Sequence, residues 1–163
     1  GGSFTTVYVS SNGLVSFSAA NSAYANVSLP AASAASLVAP FWDDLVPAGA
    51  TSNVFWTVLG SAPYREFVIE WRNLARYGCD AALGVTVQAV FFEGMPDILF
   101  NYADTVFGDT CAFANGGGSA TIGVQTAPGV AREYSVNVAP EVQSVDPPPP
   151  PDGANSRALF VNW

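Results

Sequence analysis

The sequence predicts an all-β protein, an antiparallel two-layer sandwich of the jelly-roll or immunoglobulin type with about nine or ten strands. Three observations predict it. Half of the 163 residues are apolar and 13% are aromatic, which is enough for the core of one domain. Lysine is absent and methionine occurs once, whereas the valine, threonine and aromatic residues that favour strands are abundant. Short alternating runs are separated by turn residues, as in sandwiches.

The first runs predict a hairpin. Residues 4–10 alternate as a strand does, and Asn12-Gly13 is a strong signal for a two-residue turn. Residues 14–17 return as the partner strand. Residues 19–36 are small and polar, and we expect them to form a long surface loop.

The next runs predict a buried strand and a second hairpin. Residues 36–42, SLVAPFW, are apolar after the first serine, and Pro40 within them requires an edge position or a bulge. Residues 53–59 and 66–72 pair across the turn GSAPYR. The second run alternates apolar and charged residues, which indicates a half-buried antiparallel strand.

The remaining runs complete a sandwich domain over residues 1–140. Further strands are predicted at residues 83–93, 97–103, 120–125 and 132–138. Residues 141–156 include five consecutive prolines, which predict an extended, semi-rigid linker. Residues 157–163, RALFVNW, predict one more strand after that linker.

Two cysteines, Cys79 and Cys111, lie in loop-like sequence and match no CxxC metal or redox motif. We expect them to form a disulfide, and two free buried thiols are the alternative. A disulfide places the protein outside the cytoplasm, secreted or at the cell surface.

The charge balance excludes several classes of function. The net charge is −8, and an acidic surface repels both nucleic acids and anionic membranes. Histidine is absent, which removes the usual general base and the commonest ligand of transition metals. No run approaches the roughly 20 apolar residues of a membrane span. The sequence therefore predicts a protein that is not an enzyme, has no cofactor and does not span a membrane.

Several motifs together resemble a known family: VYVSSNGLVSF, LVAPFWDDL, REFVIEWRN, VTVQAVFFEGMPDILFNY and SATIGVQ. They resemble a β-sandwich module of large secreted bacterial proteins, including subtilisin-like proteases and surface proteins. They are similar, more distantly, to the NIDO domain. The resemblance covers roughly residues 4–137 and implies a non-catalytic extracellular module. Relatives carry a further strand before the segment aligned with residues 1–5, and residues 157–163 lie outside the family pattern.

Acidic residues supply the candidate ligands for a metal. Asp43 and Asp44 follow a buried aromatic pair, and two adjacent carboxylates are suited to Ca²⁺, which prefers oxygen ligands. The alternative is that one aspartate caps a turn and the other is solvated. Glu66 and Glu70 lie on one strand face about 13 Å apart, which exceeds the separation that glycosidases use.

The tryptophans supply the candidate platform for carbohydrate. Trp42, Trp56 and Trp71 each alternate with apolar neighbours, so we expect all three to pack in the core. Exposed aromatic rings would instead stack on the faces of sugars.

The strand at residues 157–163 supplies the candidate for self-association. Alternation places Leu159, Val161 and Trp163 on one face and Phe160 on the other. A strand on a stiff linker can fill an open sheet edge in a neighbouring subunit and build a filament. The alternative is pairing within its own subunit.

The sequence therefore predicts an extracellular structural or adhesive module whose partners are further copies of the chain or other extracellular proteins. The competing hypothesis is an accessory module of a larger secreted hydrolase that binds Ca²⁺ or carbohydrate.

Overall fold

A computed structural model describes residues 3–138 and the backbone of residues 157–162. These residues form eleven strands and one 3₁₀ segment, Asp109–Gly117. The strands are β1 (Tyr8–Ser10), β2 (Leu14–Ser16), β3 (Leu37–Trp42), β4 (Leu45–Pro47), β5 (Asn53–Leu59), β6 (Glu66–Arg76), β7 (Val85–Phe92), β8 (Asp97–Asp104), β9 (Thr121–Ala127), β10 (Val130–Val136) and β11 (Arg157–Asn162). Within the described ranges, no helix is long and apolar enough to cross a membrane.

The strands form two antiparallel sheets. One has five strands in the order β1-β2-β3-β9-β10, and the other has six. The order of the second is β11-β8-β7-β6-β4, with β5 also paired to β6. Both β4 and β5 lie along one side of β6, where β5 pairs with residues 66–72 and β4 with residues 74–76. The prediction of an antiparallel all-β sandwich is confirmed.

The main core lies between the sheets. The long strand β6 contributes Ile69 and Trp71, both fully buried, and β8 contributes Phe100. Phe41 and Ile122 meet them from the five-stranded sheet. Each large apolar side chain buried here stabilises the fold by about 1.5–3 kcal/mol.

A second, smaller core covers the outer face of the five-stranded sheet. The segment before β3 places Leu29 and Ala31 against Leu37 and Trp42. Gln125 of β9 is fully buried, and its side chain accepts a hydrogen bond from the Ala31 amide at 2.7 Å. Residues 19–36 form a loop without strand or helix, as predicted, and most of them are exposed, but the burial of Leu29 and Ala31 against the sheet was not predicted.

Several strand bounds differ from those predicted. The first strand begins at Tyr8 rather than at residue 4, and β6 continues past Asn73, whose φ is 52°. Pro40 lies in β3, which pairs with β2 and β9 and is therefore central. The predicted bulge explains it, because the register between β3 and β9 shifts between Ala39 and Trp42.

Tyr102 gives the fold a dependence on alkaline pH. It is buried, its hydroxyl donates to the Pro40 carbonyl at 2.9 Å, and burial raises its pKa above the usual value of 10. The folded state therefore holds the phenol proton more tightly than the unfolded chain does, so stability is present below pH 10 and is lost as the pH rises above it. We expect Tyr102→Phe to cost about 1 kcal/mol at neutral pH, since it removes one hydrogen bond.

Urea denaturation between pH 7 and pH 11 measures this effect. The stability advantage of wild type over Tyr102→Phe should shrink above pH 10, because the Tyr102 phenol then ionises in the unfolded wild type while burial keeps it protonated in the folded state. Two curves that stay parallel would contradict the assignment.

Candidate functional site

Asp43 lies buried at the end of β3, and protein donors hold its carboxylate. Its oxygens accept from the Asp44 amide at 2.8 Å and from the Ser119 hydroxyl at 2.5 Å. The Arg76 Nε lies 3.2 Å from its Oδ1, which forms an ion pair. The Asp43 side chain is 3% exposed and that of Arg76 is 23% exposed. The aspartate thus ties the end of β3 to β6 and to the Gly-rich segment before β9.

The turn between β1 and β2 packs on this same corner. Asn12 is buried, and its Oδ1 accepts from the Leu45 amide at 3.1 Å. Gly13 has a φ of 71°, and a Cβ there would stand 1.8 Å from the Phe41 carbonyl oxygen. Only glycine fits both the conformation and the close approach. The motifs SSNG and APFWDDL therefore form one structural unit.

These contacts bear on the predicted calcium site. Each oxygen of Asp43 already accepts from protein donors, while Asp44 is half-buried beside it. The part of the chain that the structure describes contains no group of three acidic or cysteine side chains placed to share a metal ion. Ca²⁺ binding at Asp43 and Asp44 stays a prediction.

The disulfide between Cys79 and Cys111 is confirmed. It joins the turn after β6 to the 3₁₀ segment, with a Cα–Cα distance of 5.9 Å. Cys111 is buried and Cys79 packs against the same core. The bond therefore fixes the long β8–β9 connection to the connection between β6 and β7.

Glu66 and Glu70 lie on the outer face of the six-stranded sheet, and Glu70 belongs to a polar row. Its Oε1 accepts from Arg72 Nε at 2.5 Å and its Oε2 from Gln88 Nε2 at 2.5 Å. Asn101 continues the row by donating to Gln88 at 3.2 Å. Glu70 and Arg72 thus form an ion pair, and the row forms the floor of a groove of about 480 Å³.

The three tryptophans do not share one environment. Trp42 and Trp71 are buried as predicted, and their indole nitrogens donate to the carbonyls of Ala23 and Ser10 at 2.9 and 2.8 Å. Trp56 is 70% exposed, so the expectation that it packs in the core is wrong. Carbohydrate binding stays a prediction, which the polar groove and this exposed ring leave open.

Trp56 is exposed because the six-stranded sheet extends beyond the sheet that faces it. In register it stands opposite Ile69, which is fully buried, so it belongs to the inner face. The Trp71 indole bonds to Ser10, which places the edge strand β1 over β6. Among the described residues, most of the next strand, β5, therefore lies beyond the facing sheet, while Val54 still packs against the main core.

An aromatic row marks this open side. Trp56 lies 6.0 Å from Phe67, and Phe67 lies 6.1 Å from Phe91, measured between ring centroids. Two more rings extend the row toward β1. Phe17 lies 5.5 Å from Phe91, and Phe4 lies 4.6 Å from Phe17, between ring centroids. The row thus runs from partly buried rings to two exposed ends, Trp56 and Phe4.

The strand β5 exposes apolar side chains on both faces, although Asn53 and Thr57 make its outer face partly polar. Trp56 and Val58 lie on the inner face, and Val58 is 49% exposed. Phe55 and Leu59 lie on the outer face, and Leu59 is 50% exposed. The sequence signal for this surface was the run NVFWTVL, which contains no charged residue.

The backbone of residues 157–162 lies at the opposite edge of the same sheet. It pairs with β8 of its own chain, with Leu159 opposite Phe100 and Val161 opposite Ile98. Phe160 stands opposite Leu99. Trp163 and residues 139–156 lie outside the described residues. The pairing seen is thus the alternative within one subunit, and donation of this strand to a neighbour stays a prediction.

Comparison with known proteins agrees with this architecture. A family model described as NIDO related matches residues 1–147. No curated protein and no solved structure gives a match. The similarity to modules of subtilisin-like proteases stays a prediction. The family match and the disulfide together indicate an extracellular domain. With most of its length matched, this chain belongs to the NIDO-related family.

Proposed function

We propose that the chain is a non-enzymatic structural or adhesive module outside the cell, whose copies join through the strand at residues 157–162. The disulfide and the family match support the extracellular location. The single observation that carries self-association is the place of β11, which is an edge strand and pairs only with β8 among the described strands.

The sequence before β11 supports the same proposal. Residues 137–156 separate β11 from β10, and they include Pro147–Pro151. Proline fixes φ and disfavours the helical conformation of the residue before it, so a run of prolines favours extended chain. A strand at the end of such a segment can reach a second copy, and a contact that does not close produces a filament.

Deletion of residues 147–163 tests the proposal. We expect the full chain to form assemblies visible by electron microscopy, and the shortened chain to elute as a monomer. The physical reason is that the deletion removes β11, the edge strand through which the copies are proposed to join. Light scattering coupled to size exclusion measures the mass of each species against 16.9 kDa for one full chain.

A matched variant keeps the full length of the chain and changes only apolar residues of β11. The variant Leu159→Ser/Val161→Ser retains the proline run while it weakens pairing at the positions opposite Phe100 and Ile98. It should also be monomeric, with the circular dichroism and disulfide of the parent. A full chain that is monomeric at all concentrations would refute self-association.

A further inference from the structure

We infer that the free edge of β5 accepts β11 of a second copy, so that the six-stranded sheet continues from one copy into the next. This inference rests on the proposed self-association and names its acceptor. The two strands lie at opposite edges of one sheet, and β11 remains paired to its own β8.

The free edge of β5 is long and regular. All seven residues, Asn53–Leu59, pair with β6 without a shift in register. The side of β5 away from β6 has no partner strand among the described residues. Proteins usually protect such an edge with a charge, a proline, a bulge or a covering loop. The run NVFWTVL contains neither charge nor proline.

The other described edges are protected in these ways. The edge strand β1 has three residues, and β4 has three and ends at Pro47. The edge strand β10 carries Arg132 and Glu133, and its pairing with β9 shifts register twice. The contrast indicates that the edge of β5 is kept open for a partner strand.

The distribution of charge in the chain favours β11 of a second copy as that partner strand. The chain carries −8 overall, so two copies repel wherever their acidic residues approach. Neither β5 nor β11 contains an acidic residue, and the only charge in either is Arg157. Residues 158–161, Ala-Leu-Phe-Val, are apolar at every position, which suits a strand that exposes apolar side chains on both faces.

The direction of the strands makes the contact open-ended. Four antiparallel pairings separate β11 from β5 across the sheet, so both strands run in the same direction. When a neighbouring copy continues the sheet with its strands in the same orientation, its β11 therefore pairs parallel to β5. Each copy has one donor edge and one acceptor edge, and such a heterologous contact extends indefinitely.

Two variants of the full chain test the acceptor. In Val58→Lys, a charge enters the inner face of β5, which is a natural means of blocking an edge. In Ala158→Asp/Phe160→Asp, two carboxylates enter β11 opposite Asn101 and Leu99. The control is Val130→Lys, at a position on β10 that is 58% exposed. Circular dichroism establishes that each variant is folded.

We expect each of the first two variants alone to be monomeric and the control to assemble as wild type does. Mixed together, the two variants should form a heterodimer and nothing larger, because each supplies the edge that the other lacks. Light scattering measures this as a doubling of mass.

The outcomes separate this inference from the proposal on which it rests. Assembly of Val58→Lys alone, with loss of assembly on deletion of residues 147–163, would overturn the β5 acceptor and leave self-association through β11 intact. Dimers of the aspartate variant alone would show that β5 pairs with β5, which also overturns it. A monomeric wild type would refute both.

Discussion

Replacement of Asp43 by alanine is expected to lower the free energy of unfolding by about 3 kcal/mol. The change removes the buried partner of Arg76 and the acceptor of two further hydrogen bonds, from Ser119 and the Asp44 amide. A charge left without its partner in a mostly buried place costs more than the pair itself contributes. Because Arg76 keeps some exposure to solvent, the expected loss lies at the lower end of the range for buried pairs. Urea denaturation at neutral pH measures it.

The neighbouring Asp44→Ala provides the control. Asp44 is half-buried and belongs to the same motif, so both variants lose one carboxylate from one corner. We expect Asp44→Ala to cost under about 1 kcal/mol. Equal losses in the two variants would show that the ion pair with Arg76 does not hold this corner.

Removal of the disulfide is expected to have an effect of similar size. In the variant Cys79→Ala/Cys111→Ala, the free energy of unfolding should fall by roughly 3–4 kcal/mol, since the bond closes a long loop in the unfolded chain. The two cysteines are 32 residues apart in sequence. The loss should appear as a lower midpoint of denaturation with little change in the native circular dichroism.

Alkylation of the reduced wild type serves as the comparison. It removes the same bond but adds bulk at Cys111, which is buried, so it should destabilise more than the double alanine variant. A variant with the midpoint of wild type would mean that the loop contributes no constraint.

The strands of the six-stranded sheet were largely predictable because local pattern and tertiary position agree there. The bounds of β5 match those predicted, and β6 shows the alternation that placed Ile69 and Trp71 inside. The disulfide was also predictable, since two cysteines in turn-rich sequence have few other roles.

The exposure of Trp56 was not predictable from its neighbours. Alternation assigns Trp56 correctly to the inner face, but burial of that face depends on how far the other sheet extends. That extent is set by the edge strand β1, which the hydrogen bond from Trp71 to Ser10 places over β6. Alternation within a strand therefore predicts which residues lie on the inner face, but it does not predict whether the other sheet covers them.

The packing of residues 19–36 was missed for a related reason. Their small side chains predict a loop. Ala31 is nevertheless buried, and both its amide and its carbonyl form hydrogen bonds with the side chain of Gln125. A single buried glutamine 94 residues away supplies the hydrogen bonds that this irregular backbone needs. The sequence near residue 31 does not predict this contact with Gln125.

The uncharged edge of β5 has a consequence for solution conditions. Contacts built from opposite charges weaken as salt is added, whereas contact between neutral edges of two acidic molecules should strengthen. Added salt shortens the Debye length from about 30 Å at 0.01 M to about 8 Å at 0.15 M, which screens the repulsion between chains of charge −8. Under the proposed self-association, the assembly of the module is therefore expected to increase with ionic strength.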